Sequence, residues 1–202
     1  QIRGLMKTFG LVVPKGAGSV FERSVRNLLQ GEEKLARIVV PMLLAWGDIR
    51  HQIAELSKQL AAMARKDQHC RLLMSVPGVG TVTATAFAAA VEDPVNFRNS
   101  RAVGAWVGLT PRRYQSGEVD NDGHISRRGD NQLRGLLYEA AVVILNQSKD
   151  TSTLRSWALE LKERLGFKRA AVALARKLAV IIHAMLRTGE LFDPHGGTPP
   201  AT

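Results

Sequence analysis

The chain has 202 residues, a net charge of +10 and a 45% hydrophobic fraction, which suit one or two globular domains with a real core and a polyanionic partner, nucleic acid above all. Its single cysteine, Cys70, excludes an internal disulfide framework, argues against a zinc cluster and fits the reducing cytosol, so a cytoplasmic location is expected. No apolar run is long enough to span a bilayer and no signal peptide is visible, so no membrane role is expected.

The chain begins at Gln1 inside a periodic apolar pattern, and residues 1–18 read as a connector from a preceding domain. Pro14 and the glycines at 10, 16 and 18 close that segment. Ser19 followed by Glu22 has the spacing of a capping box and predicts a helix start. Gly31 predicts its end, with a second helical stretch from Glu32. A long seam follows. Leu35, Val39, Met42, Trp46, Ile49, Ile53, Leu56, Leu60 and Met63 alternate spacings of four and three, a heptad pattern held over roughly 42 Å of helix. Pro41 inside it predicts a kink or restart. Two readings stay open: a helix packed on its own domain, or a coiled coil joining two chains. The length favours the second, so residues 19–66 are expected to form a coiled-coil segment and the chain a homo-oligomer.

Residues 67–190 predict a compact helical domain. In "VPGVGTVTATAFAAAV", Pro77, Gly78 and Gly80 make a tight turn before a helix of small residues. That resembles a helix-hairpin-helix, whose backbone N–H groups grip a DNA phosphate without reading bases. The alternative is a glycine turn between packed helices. Asn99 or Ser100 starts a short helix. Asp130 caps an amphipathic one whose apolar face is Leu133, Leu136, Leu137, Ala140, Ala141, Ile144 and Leu145. Two further helices fit 152–165 and 168–188, and the tail 191–202 is expected to be disordered. No run alternates convincingly as a strand, so the expected class is all-α.

Candidate chemistry is sparse. The five histidines lack metal-ligand spacing, so no metal site or cofactor is expected in this chain, and His183 reads as structural. No phosphate loop of the Walker kind is present. The exception is the polar segment between the short helix and Asp130. It holds Ser116 beside Gly117, and Arg112, Arg113, Arg127, Arg128 and Arg134 can gather around a phosphate. A serine needs a base, a metal or a dense positive field to act as nucleophile. On the residues alone, an ordinary polar turn with solvated arginines is favoured.

A resemblance reverses that weighting. "QIRGLMKTFGL", "LMSVPGVGTVTATAF", "FRNSRAVGAWVGLTPRRYQSGEVDNDGHISRRGD", "LLYEAA" and "KRAAVALARKLAVIIHAML" together resemble the C-terminal part of bacterial insertion-sequence transposases. These carry an N-terminal RuvC-like DEDD nuclease domain and a C-terminal serine domain, and some are recombinases guided by a bridge RNA. The resemblance runs from Gln1 to about Arg187. It implies that Ser116 attacks a DNA phosphodiester, that Mg²⁺ is held by the RuvC-like domain absent from this chain, and that this chain alone is inactive. It implies that the coiled coil lets subunits build a site in trans. Gly78, Gly80 and the five arginines are then the expected phosphate contacts. The rivals are a non-catalytic DNA-binding and dimerisation module, or a domain that holds guide RNA on the basic helix at 168–177.

Overall fold

A computed structural model describes residues 1–116, 119–146 and 151–196, without the side chains of 113–116 and 119–122. The chain divides into two compact units, Gln1–Gln59 and Leu60–Thr202. The described residues are mostly helical with one two-stranded sheet, so the all-α expectation holds.

The first unit packs α1 (Ile2–Thr8) and α2 (Gly18–Leu28) on the start of α3 (Glu33–Lys66). Its core is Met6, Val25, Leu35, Val39 and Leu43. The capping box predicted from Ser19 is not made: α2 starts at Gly18, and Ala17 precedes it with no side-chain cap. The approach is held instead by Arg3, whose guanidinium donates to the carbonyls of Val13, Pro14 and Gly16 at 2.7–2.8 Å. A charged fork on three carbonyls fixes the loop more firmly than one hydroxyl cap. The restart predicted at Pro41 does not occur, because α3 runs through it. A single missing N–H is tolerated where neighbours on the helix are well packed, as Val39 and Leu43 are.

The heptad seam splits along α3. Leu35 and Val39 are buried and Met42 and Trp46 half-buried, whereas Ile49, Ile53, Leu56 and Met63 are 57–68% exposed. The reading of a helix packed on its own domain therefore holds for part of the pattern. Its first turns form a domain core, and its later turns present an uncovered apolar stripe.

The second unit is built around α9 (Phe167–Thr188), which packs against α4 (Gln68–Leu73), α6 (Ser100–Trp106), α7 (Asn131–Asn146) and α8 (Thr153–Leu165). Its buried positions include Ala170, Leu174, Leu178 and Ile182 on one side and Ala171, Ala175 and Ala179 on another. The alanines let neighbouring helices approach. Each fully buried leucine or isoleucine contributes roughly 1.5–3 kcal/mol. The predicted face of α7 is the observed one: Leu133, Leu137, Ala140, Ala141, Ile144 and Leu145 are buried, with Leu136 at the margin. Asp130 caps α7 through the Leu133 N–H at 3.0 Å, as predicted. His183 is fully buried, with Nδ1 3.0 Å from Ser100 Oγ and Nε2 without a hydrogen-bond partner. Burial holds its pKa down, against a weaker opposing pull from the Pro94 carbonyl. Cys70 is buried on α4, and burial together with the Asp67 carboxylate pushes its thiol up to about 11.

The turn from α4 to α5 (Thr81–Val91) contains both glycines expected at a phosphate. Gly78 has a left-handed φ of +79°, and a Cβ there would sit 2.6 Å from the Ala140 carbonyl oxygen. Gly78 thus faces α7, inside the unit. Gly80, which precedes α5, has open space around it. The expected tail is hydrogen-bonded at its start: Thr153 N–H donates to the Pro194 carbonyl, and Phe192 N–H to Ser75 Oγ.

The segment read as a polar loop is an antiparallel hairpin of β1 (Pro111–Ser116) and β2 (Val119–Ile125). Sequence reasoning missed it because "PRRYQS" and "VDNDGHI" offer no alternating apolar face, which is the signal a half-buried strand gives. Pro111 pairs with Ile125 and Arg113 with Asp122, so Gly123 and His124 oppose Arg112 alone. This two-against-one bulge bends the ribbon near its base.

Candidate nucleic-acid interface

The hairpin grows from a clasp between two chain segments. Ser126 N–H donates to the Thr110 carbonyl at 2.8 Å, and Arg127 N–H to the Gly108 carbonyl at 3.1 Å. The backbones approach so closely that a Cβ on Gly108 would collide with the Arg128 main chain, and one on Gly129 with the Trp106 carbonyl. Both glycines also have positive φ, so no other residue fits either place. Arg127 itself is left-handed, at φ 54°. Arginine there costs about 1 kcal/mol or more, a strain that marks the segment as more than a connector.

Two predicted phosphate ligands are tied into this clasp. Arg134 donates from Nη1 to the Val107 carbonyl at 3.0 Å and from Nη2 to Asn131 at 2.6 Å. Arg112 donates to the Ser126 carbonyl at 3.1 Å. Each retains further N–H donors, since a guanidinium has five. Arg128 is exposed at the clasp, and Ser126 Oγ accepts its N–H at 3.4 Å. The side chains of Arg113 and Ser116 lie outside the described residues. The backbone places Ser116 at the last position of β1, paired with Val119.

Beside the hairpin base lies a cleft of about 1100 Å³. Pro111, Gly123, His124 and Ile125 form one wall, and α6, α8 and α9 the others. Six cations line it: Arg101, Arg127, Lys168, Arg169, Arg176 and Lys177. Among the described residues no carboxylate does. Among the described residues the one ion pair is Arg26–Glu22, far along the chain in the first unit. Arg176 lies across α6 with its Cγ 3.0 Å from where a Gly104 Cβ would stand, so a small residue there makes room for it. Lys177 is half-buried with its ammonium 4.2 Å from the centre of the Trp157 ring, and desolvation lowers its pKa.

Lys168 and Arg169 stand in the first turn of α9, where acidic residues are absent. The helix dipole disfavours cations there by about 0.3–1 kcal/mol each. Six positive groups with no counter-charge among the described residues, two of them opposing a dipole, make a surface that a polyanion relieves. Of the predicted ligands only Arg127 lines this cleft; Gly78, Gly80, Arg112, Arg128 and Arg134 do not. Arg101, Arg176 and Lys177 were not singled out as DNA ligands in the sequence. A usable signal existed in Lys168, Arg169, Arg176 and Lys177, two basic pairs eight residues apart on one helix face, but it pointed equally to RNA.

Residues 70–156 match the model of the transposase IS116/IS110/IS902 family. They comprise the α4–α5 turn, the clasp, the whole hairpin and the start of α8. Similarity to insertion-sequence transposases extends over nearly the whole chain. It is 34% identical to the transposase for insertion sequence element IS1111A of Coxiella burnetii, over 95% of this chain and 54% of that protein. It is 31% identical to a probable family 20 transposase of Pseudomonas aeruginosa, over 96% and 59%. It is likewise 31% identical to the transposase for insertion sequence element IS1328 of Yersinia enterocolitica, over 96% and 58%. The chain thus spans a little over half the length of these relatives.

Among the described residues no group of three or more His, Cys, Asp or Glu could hold a metal ion. No described helix is long and apolar enough to cross a membrane.

Proposed function

We propose that this chain is the C-terminal part of an insertion-sequence transposase, binding DNA through its second unit and supplying Ser116 as the nucleophile for strand cleavage and exchange. The supporting observation is the hairpin, which carries Ser116 at one end and forms a wall of the six-cation cleft at the other. Five residues of strand separate Ser116 from Pro111, about 17 Å. That distance is short on the scale of a DNA strand, so a strand held at the cleft can reach the serine within a few nucleotides.

In the proposed step, Ser116 Oγ forms a bond to phosphorus as one P–O bond of the strand breaks. The serine proton leaves to a base, and the departing sugar oxygen takes one up. The ester linkage to Ser116 conserves the phosphodiester bond, and a sugar hydroxyl of another strand can attack it and free the serine. Arginine donors neutralise charge on the pentacovalent phosphorus. The base and the metal belong, in this reading, to a RuvC-like domain in the longer protein. The exposed stripe of Ile49, Ile53 and Leu56 fits self-association through α3, which lets one subunit's serine meet another's metal domain.

In the full-length protein, Ser116→Ala is expected to abolish covalent protein–DNA adducts on a suicide substrate while DNA affinity stays within a few-fold. Peptide mapping by mass spectrometry locates the adduct. An adduct on Ser126, or recombination that survives Ser116→Ala, overturns the assignment and favours the non-catalytic scaffold.

A further inference from the structure

We infer that the cleft beside the hairpin takes an unpaired stretch of DNA strand rather than the face of a duplex. The inference rests on the DNA-binding reading above and names the form of DNA that the site accepts. Three features carry it: the lining, the scale and the placement of charge.

The lining is two-toned. Arg101, Arg127, Lys168, Arg169 and Arg176 are exposed, whereas Leu109, Val172 and Trp157 are buried or half-buried within the same cleft. Duplex DNA shows a backbone-binding protein phosphates and sugars, with its bases stacked inward. Cations match that outline, and an apolar floor with an indole does not. An unpaired strand offers both halves, phosphates for the rim and base faces for the floor. The scale agrees. A half-open cleft of about 1100 Å³ has room for a few nucleotides, on the scale of ligand sites.

Lys177 is half-buried with its ammonium over the Trp157 ring at 4.2 Å, so one positive charge stands beside the indole, where a strand whose base meets the ring brings its phosphate. The choice of DNA over RNA rests on the transposase reading above.

The experiment measures affinity of the full-length protein for a fluorescent oligothymidine, the matching duplex and oligouridine, by anisotropy over a salt series. The deoxy single strand should bind tightest. Trp157→Leu should weaken it about tenfold, in the range of a lost base–aromatic stack, and leave the duplex within twofold. Lys168→Gln with Arg176→Gln should flatten the salt slope of the single strand by about 1.4, two charges at about 0.7 each. Lys177→Gln, which removes the charge and keeps a long polar side chain, provides a second variant at the Trp157 ring should Trp157→Leu fail to fold. Equal losses for duplex and single strand, or a duplex that binds tighter, overturn this inference and leave the transposase reading standing. Tighter binding of oligouridine overturns the choice of DNA. Absence of binding to any of the three sinks both readings.

Discussion

Gly78 and Gly80 look alike in the sequence, and the structure assigns them opposite sensitivities. In Gly78→Ala the new methyl meets a main-chain oxygen, Ala140 O at 2.6 Å, and Ile144 Cγ1 at 2.9 Å. The carbonyl belongs to α7 and is held by that helix, so it cannot step aside as a flexible side chain can. The substitution also forces alanine to φ +79°, which costs about 1–2 kcal/mol. Overpacking adds about 1–3 kcal/mol, for a total loss of about 2–5 kcal/mol. At about 3 °C per kcal/mol for a unit of this size, the melting temperature should fall by about 6–15 °C. Gly80 has φ −88° and ψ 179°, allowed for any residue, with no atom near the added methyl. Gly80→Ala should hold stability within about 0.5 kcal/mol. Paired urea and thermal melts of both variants make the test. A Gly78→Ala protein that melts within 2 °C of the parent, or a Gly80→Ala protein that proves the weaker, refutes the packing argument. The pair also separates two roles. If Gly80→Ala weakens DNA binding at unchanged stability, the turn touches phosphate through Gly80.

Two other outcomes are expected. Replacing Ile49 and Leu56 with Asp should convert an oligomer to a monomer by light scattering without loss of helix, because both side chains are about 60% exposed and support no core; a parent chain that is monomeric at high micromolar concentration refutes self-association through α3. Cys70, with its thiol near 11 and its side chain buried, should react with a maleimide at pH 8 roughly a hundredfold more slowly than in denaturant, and labelling at similar rates in both states contradicts the burial.

Helices with a continuous apolar face were legible in the sequence. The pattern from Leu133 to Leu145 needs only a period of 3.6 to be read, and α7 buries it as expected. The seam on α3 was legible as a pattern but not in its use. Spacing alone cannot tell which turns meet α1 and α2 and which stay bare. The hairpin gave no signal, since its strands are polar on both faces and its base is set by the close approach of Gly108 and Gly129. The cleft was legible only in part. Lys168 to Lys177 stand on one helix, but Arg101 and Arg127 reach the same wall from 67 and 41 residues earlier than Lys168. Nothing in local spacing announces that meeting. Arg134 shows the converse. Its neighbours in the sequence suggested a phosphate ligand, while the fold engages it with the Val107 carbonyl.

The clasp below the hairpin closes through main-chain bonds, with Arg112 and Arg134 adding side-chain donors. Its bonds run from Ser126 to Thr110 and from Arg127 to Gly108, backbone to backbone, and its glycines supply absence of bulk rather than any group of their own. Between Arg112 and Ile125, which still help to hold the fold, the hairpin residues answer to what they touch outside it. Apart from Ser116, such a segment can vary while the helical platform stays constant. It can also be exchanged as a cassette: a hairpin of equal length from a relative, joined at Pro111 and Ser126, should bring its own substrate preference with it.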